Sequence, residues 1–260
     1  MKYITYLIII FTILNNNTYA TDLEKILKDD FNSTLEDFNN IPKIINLSHL
    51  FYTSQIIIAD AIIINNDQNV REYVQSHKCS CNENLISFVN YIGQAYAFPL
   101  LIYGTGIVAD NPSWRKTGRL LAESLILSFS ITQTTKMILG RSRPFNNDGP
   151  YEFKFFEFVD KYWSHPSGHT TLAFTFATIL SFRINTWWSY PTFYTLAAGT
   201  AFARMYYDKH WLSDVFLGAA IGTASSLLIL KSSEKKDTKP QNSNLLIQPS
   251  FNFINFTYSW

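Results

Sequence analysis

The chain has 260 residues, a formal net charge of +1 and only 16% charged residues. Its length suffices for one domain with a large core. No basic stripe is present of the kind that contacts a phosphate backbone, which excludes nucleic acid as a partner. Hydrophobic residues make up 47%, yet the mean hydropathy is −0.01, low for a protein that crosses a membrane many times. The class of protein therefore has to be inferred segment by segment.

The N-terminus has the pattern of a secretory signal peptide over residues 1–20. A lysine precedes an apolar run from Tyr6 to Leu14, and a polar stretch ends at Ala20, a plausible cleavage site. The run is too short to span a bilayer comfortably, and an uncleaved anchor is the alternative. Residues 21–43 hold six carboxylates and three lysines with helically spaced apolar positions. They predict an exported, solvated amphipathic helix.

Residues 44–231 predict an all-α bundle of five or six core helices. Six apolar segments follow one another at about 44–64, 85–108, 117–139, 169–186, 188–204 and 212–230. Each is long enough for a helix, and none shows the strict alternation of a strand. Pro99 and Pro191 are expected to kink two of these helices.

The distribution of cations predicts how this bundle lies in a membrane. If the last five segments span, one side receives Arg115, Lys116, Arg119, Arg183, Lys231, Lys235 and Lys236. A positive-inside bias makes that side cytoplasmic and the other side external. Segment 44–64 contains Asp60 in its middle and is the least convincing span. Five crossings agree with an exported N-terminus, whereas six require a cytoplasmic one. A membrane-embedded bundle is favoured over a soluble exported one.

The C-terminal residues form two further segments. Residues 232–244 have the composition of a linker. Residues 245–260 form an aromatic tail in which Phe256, Tyr258 and Trp260 lie two apart. Short β-strands and an interfacial aromatic strip both fit this alternation.

Chemically active residues occur in three clusters on the predicted external side. In the first, Lys136 and Arg143 are seven apart, nearly two helical turns, so both cations are expected to face one direction before Pro144 ends the helix. The second is Ser167-Gly168-His169, which begins an apolar helix and offers free backbone N–H groups to an anion. Each cluster taken singly has an ordinary structural explanation, but together they predict a phosphate-binding pocket.

The third cluster contains Arg204, His210 and Asp214. His210 and Asp214 are four apart, the spacing that places two helical side chains on one face. A histidine oriented by a carboxylate can attack phosphorus, and His169 is left to protonate the leaving oxygen. The lysine and both arginines can neutralise phosphoryl oxygens.

Order and spacing of these clusters resemble the tripartite signature of the type 2 phosphatidic acid phosphatase superfamily. The matching positions are Lys136, Arg143, Pro144, Pro166, Ser167, Gly168, His169, Arg204, His210 and Asp214. The resemblance covers about the central third of the chain. One position departs, because the family usually has serine before the third-motif arginine, where this sequence has Ala203. That change removes one hydroxyl from the phosphate cradle.

The resemblance implies a function and a role for each residue. His210 would form a phosphohistidine, with Asp214 as its partner and His169 as the general acid. The phosphate would be bound by Lys136, Arg143, Ser167, Gly168 and Arg204. Such enzymes need no metal and no cofactor, and no obligate protein partner is evident. The exported N-terminus is similar to that of some Gram-negative members, which implies a lipid phosphatase of the inner membrane with a periplasmic active site.

Three other functions share part of this pattern. A soluble periplasmic acid phosphatase shares all three motifs, but the apolar helix at 212–230 has small residues spaced as in membrane packing. The membrane-like helices also disfavour a vanadate-holding haloperoxidase. A non-catalytic binder of lipid phosphates has no need of both histidines and Asp214. The sequence leaves open which lipid phosphate or pyrophosphate is hydrolysed.

Overall fold

The computed structural model describes residues 17–79, 83–92, 94 and 96–237, and this part of the chain is all-helical, as predicted. Its α-helices are α1 (Asn17–Ile44), α2 (Leu47–Ile64), α3 (Asp67–Ser76), α4 (Glu83–Ile92), α5 (Phe98–Val108), α6 (Pro112–Leu139), α7 (Gly168–Ile184), α8 (Ser189–Tyr206) and α9 (Leu212–Asp237). Short 3₁₀ turns lie at Pro144–Asn146 and Asp160–Tyr162. Most of the predicted signal peptide and all of the aromatic tail lie outside the described residues. Residues 232–237, predicted as the start of a linker, continue α9 instead.

Helix α9 lies at the centre of the bundle, where it packs against α7, α6, α1 and α2. Two glycines allow its close approach to α7. A Cβ atom at Gly218 would lie 2.6 Å from the carbonyl oxygen of Ser167, and one at Gly222 would lie 2.4 Å from that of Thr171. The main apolar core next to this contact comprises Leu120, Leu121, Leu172, Phe176, Ile179 and Ile229.

The expectation of two proline kinks is wrong. The segment predicted as one helix over 85–108 forms α4 and α5, and Pro99 is the second residue of α5. Pro191 is likewise the third residue of α8. The first turn of a helix leaves its N–H groups without intrahelical partners, so proline fits there without bending the helix.

Helix α1 is packed into the bundle, whereas the sequence predicted a solvated helix. Asp37 is fully buried and accepts a 2.6 Å hydrogen bond from Nη1 of Arg119, which also donates to Glu123 at 2.6 Å. Nearer the helix start, Nε of Arg115 lies 3.2 Å from Asp30. Acidic residues on α1 are therefore accommodated by ion pairing. Arg119 belongs to this buried ion-pair cluster and is therefore not one of the free cations expected beside a membrane span.

Helix α2 is more apolar and more exposed than its Asp60 suggested. By length and composition alone, two helical stretches among the described residues could cross a membrane, Leu47–Ile64 and Leu212–Glu234. Asp60 is buried while the apolar side chains around it, such as Ile57, Ile58 and Ile62, are exposed. The single carboxylate of α2 therefore faces the protein, and the segment predicted as the least convincing span meets the criterion for one.

Candidate active site

The predicted site residues meet where the end of α6, the start of α7 and the start of α9 come together. Lys136 lies in the last turn of α6, and its Nζ donates to the carbonyl oxygens of Trp163 at 2.5 Å and Ser164 at 3.3 Å. The amine is almost fully buried. Its hydrogen bonds tie the loop before α7 to the end of α6.

Arg143 is not on the same helix as Lys136, which corrects the helical argument for this pair. Helix α6 ends at Leu139 because Gly140 adopts a left-handed conformation with φ of 56°. A Cβ atom there would lie 1.7 Å from the carbonyl oxygen of Lys154, so the position requires glycine. Arg143 follows in the loop, where its Nη2 donates to Oδ1 of Asp160 at 2.9 Å.

The start of α7 offers fewer free amides than predicted. Ser167 precedes the first helical residue, but its backbone N–H donates to the carbonyl oxygen of Asp214 at 2.8 Å. The amides of Gly168 and His169 lie in the first turn, where an α-helix leaves its N–H groups to outside acceptors. The backbone amides that remain open to an outside acceptor therefore start at Gly168, one residue later than predicted.

His210 and Asp214 are in contact, although not through a shared helix face. His210 lies in the bend before α9, and its Nδ1 is 3.2 Å from Oδ2 of Asp214. The same oxygen accepts the backbone N–H of Trp211 at 2.9 Å, which fixes the bend to the first turn of α9. Burial lowers the pKa of His210 well below its ordinary value, with Lys136 and Arg143 adding to the shift and Asp214 opposing it. The imidazole is therefore neutral, as a nucleophile requires.

Asp214 is the centre of a buried polar network that sequence reasoning missed. Its Oδ1 accepts a 2.7 Å bond from Nη1 of Arg141 and lies 3.0 Å from Nδ1 of His165. Its Oδ2 accepts the hydroxyl of Ser164. Arg141 also donates to Asp67 on α3 at 2.7 Å. Apart from Arg141, which lies within the first motif, these partners carry no motif signal that could have identified them.

Arg204 and His169 complete the pocket. Nη1 of Arg204 donates to Oδ1 of Asn90 at 2.9 Å, while its buried Nε has no hydrogen-bond partner among the described residues. The charges of Arg204, Arg143 and Lys136 all act on His169. In the described part of the chain, no hydrogen bond to the His169 imidazole is formed. These free donors point to an anionic ligand.

The position that departs from the family pattern has a local explanation. Ala203 is fully buried on α8 among the side chains of Val74, Ile86 and Tyr206. A serine here would have to place its hydroxyl beside this apolar cluster. The absence of a hydroxyl at this position therefore matches its apolar surroundings.

A cavity of about 480 Å³ adjoins the site between α6 and α7. Leu125, Phe129 and Leu172 form part of its apolar wall, and Gly168 and Thr171 line it near the start of α7. The start of α7 and a space for an apolar group are thus neighbours. Among the described residues, no cluster of three or more His, Cys, Asp or Glu side chains is arranged to hold a metal ion.

Comparison with known proteins agrees with the motifs and the fold. Residues 117–237 match the family model of the PAP2 superfamily, so this region is similar to members of that superfamily. It is 29% identical over 178 residues to the lipid A 1-phosphatase of Porphyromonas gingivalis, a match that covers 66% of this chain and 36% of that protein. It is 26% identical over 144 residues to the undecaprenyl-diphosphatase of Sulfolobus acidocaldarius, covering 55% of this chain and 67% of that protein.

Two solved structures share the fold. LpxE of Aquifex aeolicus superposes with a TM-score of 0.52 at 23% identity, covering 64% of this chain and 94% of that one. The transmembrane PAP2 type phosphatidylglycerolphosphate phosphatase of Bacillus subtilis gives a TM-score of 0.54 at 19% identity, covering 70% and 96%. The chain therefore shares the fold of these two proteins.

Proposed function

We propose that this protein is a lipid phosphatase that hydrolyses the phosphate or pyrophosphate ester of a membrane lipid. The observation that carries the proposal is the buried imidazole of His210, whose Nδ1 lies 3.2 Å from Oδ2 of Asp214 and which is subject to the charges of Lys136 and Arg143. Arg204, with its unpartnered Nε, supplies a further cation near His169. A histidine nucleophile, a second histidine and three cations are the groups that phosphoryl transfer to an imidazole needs.

The apolar cavity supports a lipid as the substrate. It adjoins Gly168 at the start of α7, so a bound phosphate and a hydrocarbon chain can be held side by side. The two curated relatives are named for lipid A and for undecaprenyl diphosphate, both phosphorylated lipids. A small polar phosphomonoester would leave the apolar wall of this cavity uncovered, which disfavours a general acid phosphatase.

The proposed reaction proceeds in two displacements at phosphorus. Because Nδ1 of His210 faces Asp214, Nε2 is the atom that attacks, and the bond from phosphorus to the lipid oxygen breaks. The bound phosphate anion favours the protonated form of His169, which then gives its proton to the departing oxygen. Water then attacks the phosphohistidine, gives a proton to His169 and releases phosphate. Lys136, Arg143 and Arg204 stabilise the charge that develops on the phosphoryl oxygens.

This mechanism predicts catalysis without a divalent metal ion. Three fixed cations stand where a metal enzyme would place carboxylates. Addition of EDTA to the purified protein should leave phosphate release unchanged, whereas vanadate, which adopts five-coordinate geometry, should inhibit it. Rapid quench into alkali should trap an acid-labile phosphoenzyme. Activity that is lost in EDTA and restored by Mg²⁺, without a trapped phosphoenzyme, would contradict the mechanism.

We further propose that the bundle is embedded in the inner membrane with its catalytic end facing the periplasm. Arg183 at the end of α7 donates to Ser113 at the start of α6, so these basic ends lie together, away from Lys136. Helix α1 contacts the same end through Arg115. A positive-inside orientation then places α1 in the cytoplasm. Helix α2 crosses the membrane as a sixth span, because it leads from α1 to the catalytic end.

Cysteine labelling in intact cells tests this orientation. Asn147→Cys should react with a membrane-impermeant maleimide from outside. Ser113→Cys and Lys28→Cys, both at exposed positions, should react only after permeabilisation. Labelling of position 28 but not 113 from outside would restore the exported N-terminal segment with five crossings. The opposite pattern at 113 and 147 would invert the bundle.

A further inference from the structure

His165 is a buried histidine beside the proposed nucleophile, and it has no role in the three motifs. Its Nδ1 lies 3.0 Å from Oδ1 of Asp214, and its Nε2 lies 3.1 Å from Oδ2 of Asp60. Asp214 in turn contacts His210 through its other oxygen. A continuous path thus leads from α2 through His165 and Asp214 to the reacting imidazole.

The geometry fixes how many protons this path contains. An ionised carboxylate only accepts hydrogen bonds, so each ring nitrogen of His165 that faces one must carry a hydrogen. Both nitrogens face carboxylates, which requires an imidazolium unless Asp60 itself is protonated. In either arrangement the Asp60–His165 pair holds one proton more than a neutral histidine beside an ionised aspartate.

We infer that His165 is a positioning residue that presents a positive charge to Asp214, sustained by Asp60, and thereby keeps His210 neutral and able to attack. The inference rests on the proposed function of this site. A carboxylate next to a histidine favours the imidazolium, which cannot act as a nucleophile. A cation on the far side of that carboxylate weakens this influence while the hydrogen bond that orients His210 remains.

The surrounding charges agree with this role. Arg141 donates to the same Oδ1 atom of Asp214 and also pairs with Asp67. Burial favours a neutral His165, but its hydrogen bonds to Asp214 and Asp60 outweigh burial and raise its pKa. The groups whose charges face His210 or His165 are Lys136 on α6, Arg141 and Arg143 in the following loop, Asp60 on α2, and Asp214 on α9. Arg141 and His165 both contact Oδ1 of Asp214, and of these two only the imidazole of His165 can lose its proton near neutral pH.

The same pair explains why α2 has a carboxylate within an apolar sequence. Asp60 is the buried residue of this helix; its Oδ2 contacts His165, and its Oδ1 has no hydrogen-bond partner among the described residues. An unpaired carboxylate in an apolar helix is strongly unfavourable, and pairing with an imidazolium relieves that penalty. Helix α2 therefore contributes to the site through one residue.

The first test measures the charge of His165 without requiring turnover. The chain has five histidines, so ¹⁵N spectra of ring-labelled full-length protein in detergent micelles can be assigned by single substitutions. The resonances lost in His165→Gln should show an imidazolium at pH 7 in the wild type. In Asp60→Asn, which keeps the volume but removes the carboxylate, the same resonances should titrate at lower pH. Neutral-imidazole shifts for wild-type His165 at pH 6 would overturn the inference.

The second test measures the consequence for catalysis with 4-nitrophenyl phosphate and dioleoyl phosphatidate as probes. In His165→Gln, the acidic limb of the kcat/KM profile should move to higher pH by about 1 unit, with about tenfold lower kcat/KM below it. His77 is exposed and directly follows α3, so His77→Gln should give the wild-type profile. Turnover with an unshifted His165→Gln profile would overturn the role of His165 alone. A wild type that releases no phosphate from either probe would instead overturn the proposed function.

Discussion

Substitution of His210 by alanine is expected to abolish phosphate release while the protein stays folded. Among the described residues, no other imidazole has its Nδ1 held by Asp214 and its Nε2 without a partner, because His165 contacts carboxylates with both nitrogens. Loss of a nucleophile that acts with its partners as a unit lowers kcat by about 10⁴-fold or more. The fold should persist, since Asp214 keeps the donors Arg141 and Ser164.

The measurement is phosphate release from phosphatidate, together with thermal unfolding in the same detergent. His77→Ala serves as the matched control, because it removes an exposed imidazole outside the site. Phosphate release by His210→Ala within tenfold of the wild type would refute the nucleophile assignment. An inactive variant with an unchanged unfolding temperature would support it.

The three motifs could be predicted because their residue types and spacings are visible directly in the sequence. The charges of Lys136 and Arg143 act on both His169 and His210, and Asp214 contacts His210. The path of the backbone between the motifs could not be predicted as well. A lysine and an arginine seven apart suggested one helix, but the close approach of Lys154 to Gly140 requires a left-handed residue that ends α6 earlier. Such a contact depends on a loop that sequence periodicity does not describe.

The support around Asp214 could not be predicted for a different reason. Arg141, Asp60 and Asp67 are ionisable residues whose partners lie tens of residues away along the chain. An aspartate within an apolar segment argued against α2 as a span, because only the folded chain shows that His165 neutralises it. The carboxylates of α1 were likewise assigned to solvent, since their pairing with Arg115 and Arg119 is a long-range contact. Long-range charge pairing thus limits what helical spacing alone can reveal.

Arg141→Met is expected to destabilise the protein more than any surface substitution. The guanidinium is fully buried and forms ion pairs of 2.7 Å with both Asp67 and Asp214, which are also fully buried. Removing one member of a buried ion pair leaves an uncompensated charge, at a cost of about 3–5 kcal/mol. Arg141→Lys should recover only part of this stability, because an ammonium cannot form the planar fork that reaches both carboxylates.

Arg71→Met is the matched control, since Arg71 pairs with Asp208 at 2.7 Å where both side chains are partly exposed. Its loss should cost about 1 kcal/mol or less. The free energies of unfolding of the three variants and the wild type can be compared by denaturant titration in detergent. Equal losses for Arg71→Met and Arg141→Met would show that the buried network does not stabilise the fold.

The pH dependence of the Arg141→Met defect separates an unpaired charge from a simple packing loss. Burial raises the pKa of Asp67, and Arg141 is the main charge that opposes this shift. Without Arg141 the folded state should bind a proton at Asp67 more tightly than the unfolded state does, so stability falls as pH rises through the raised pKa. The destabilisation by Arg141→Met should therefore be larger at pH 8 than at pH 5. A packing defect would be the same at both pH values, and that result would remove the ionic explanation for how Arg141 supports Asp214.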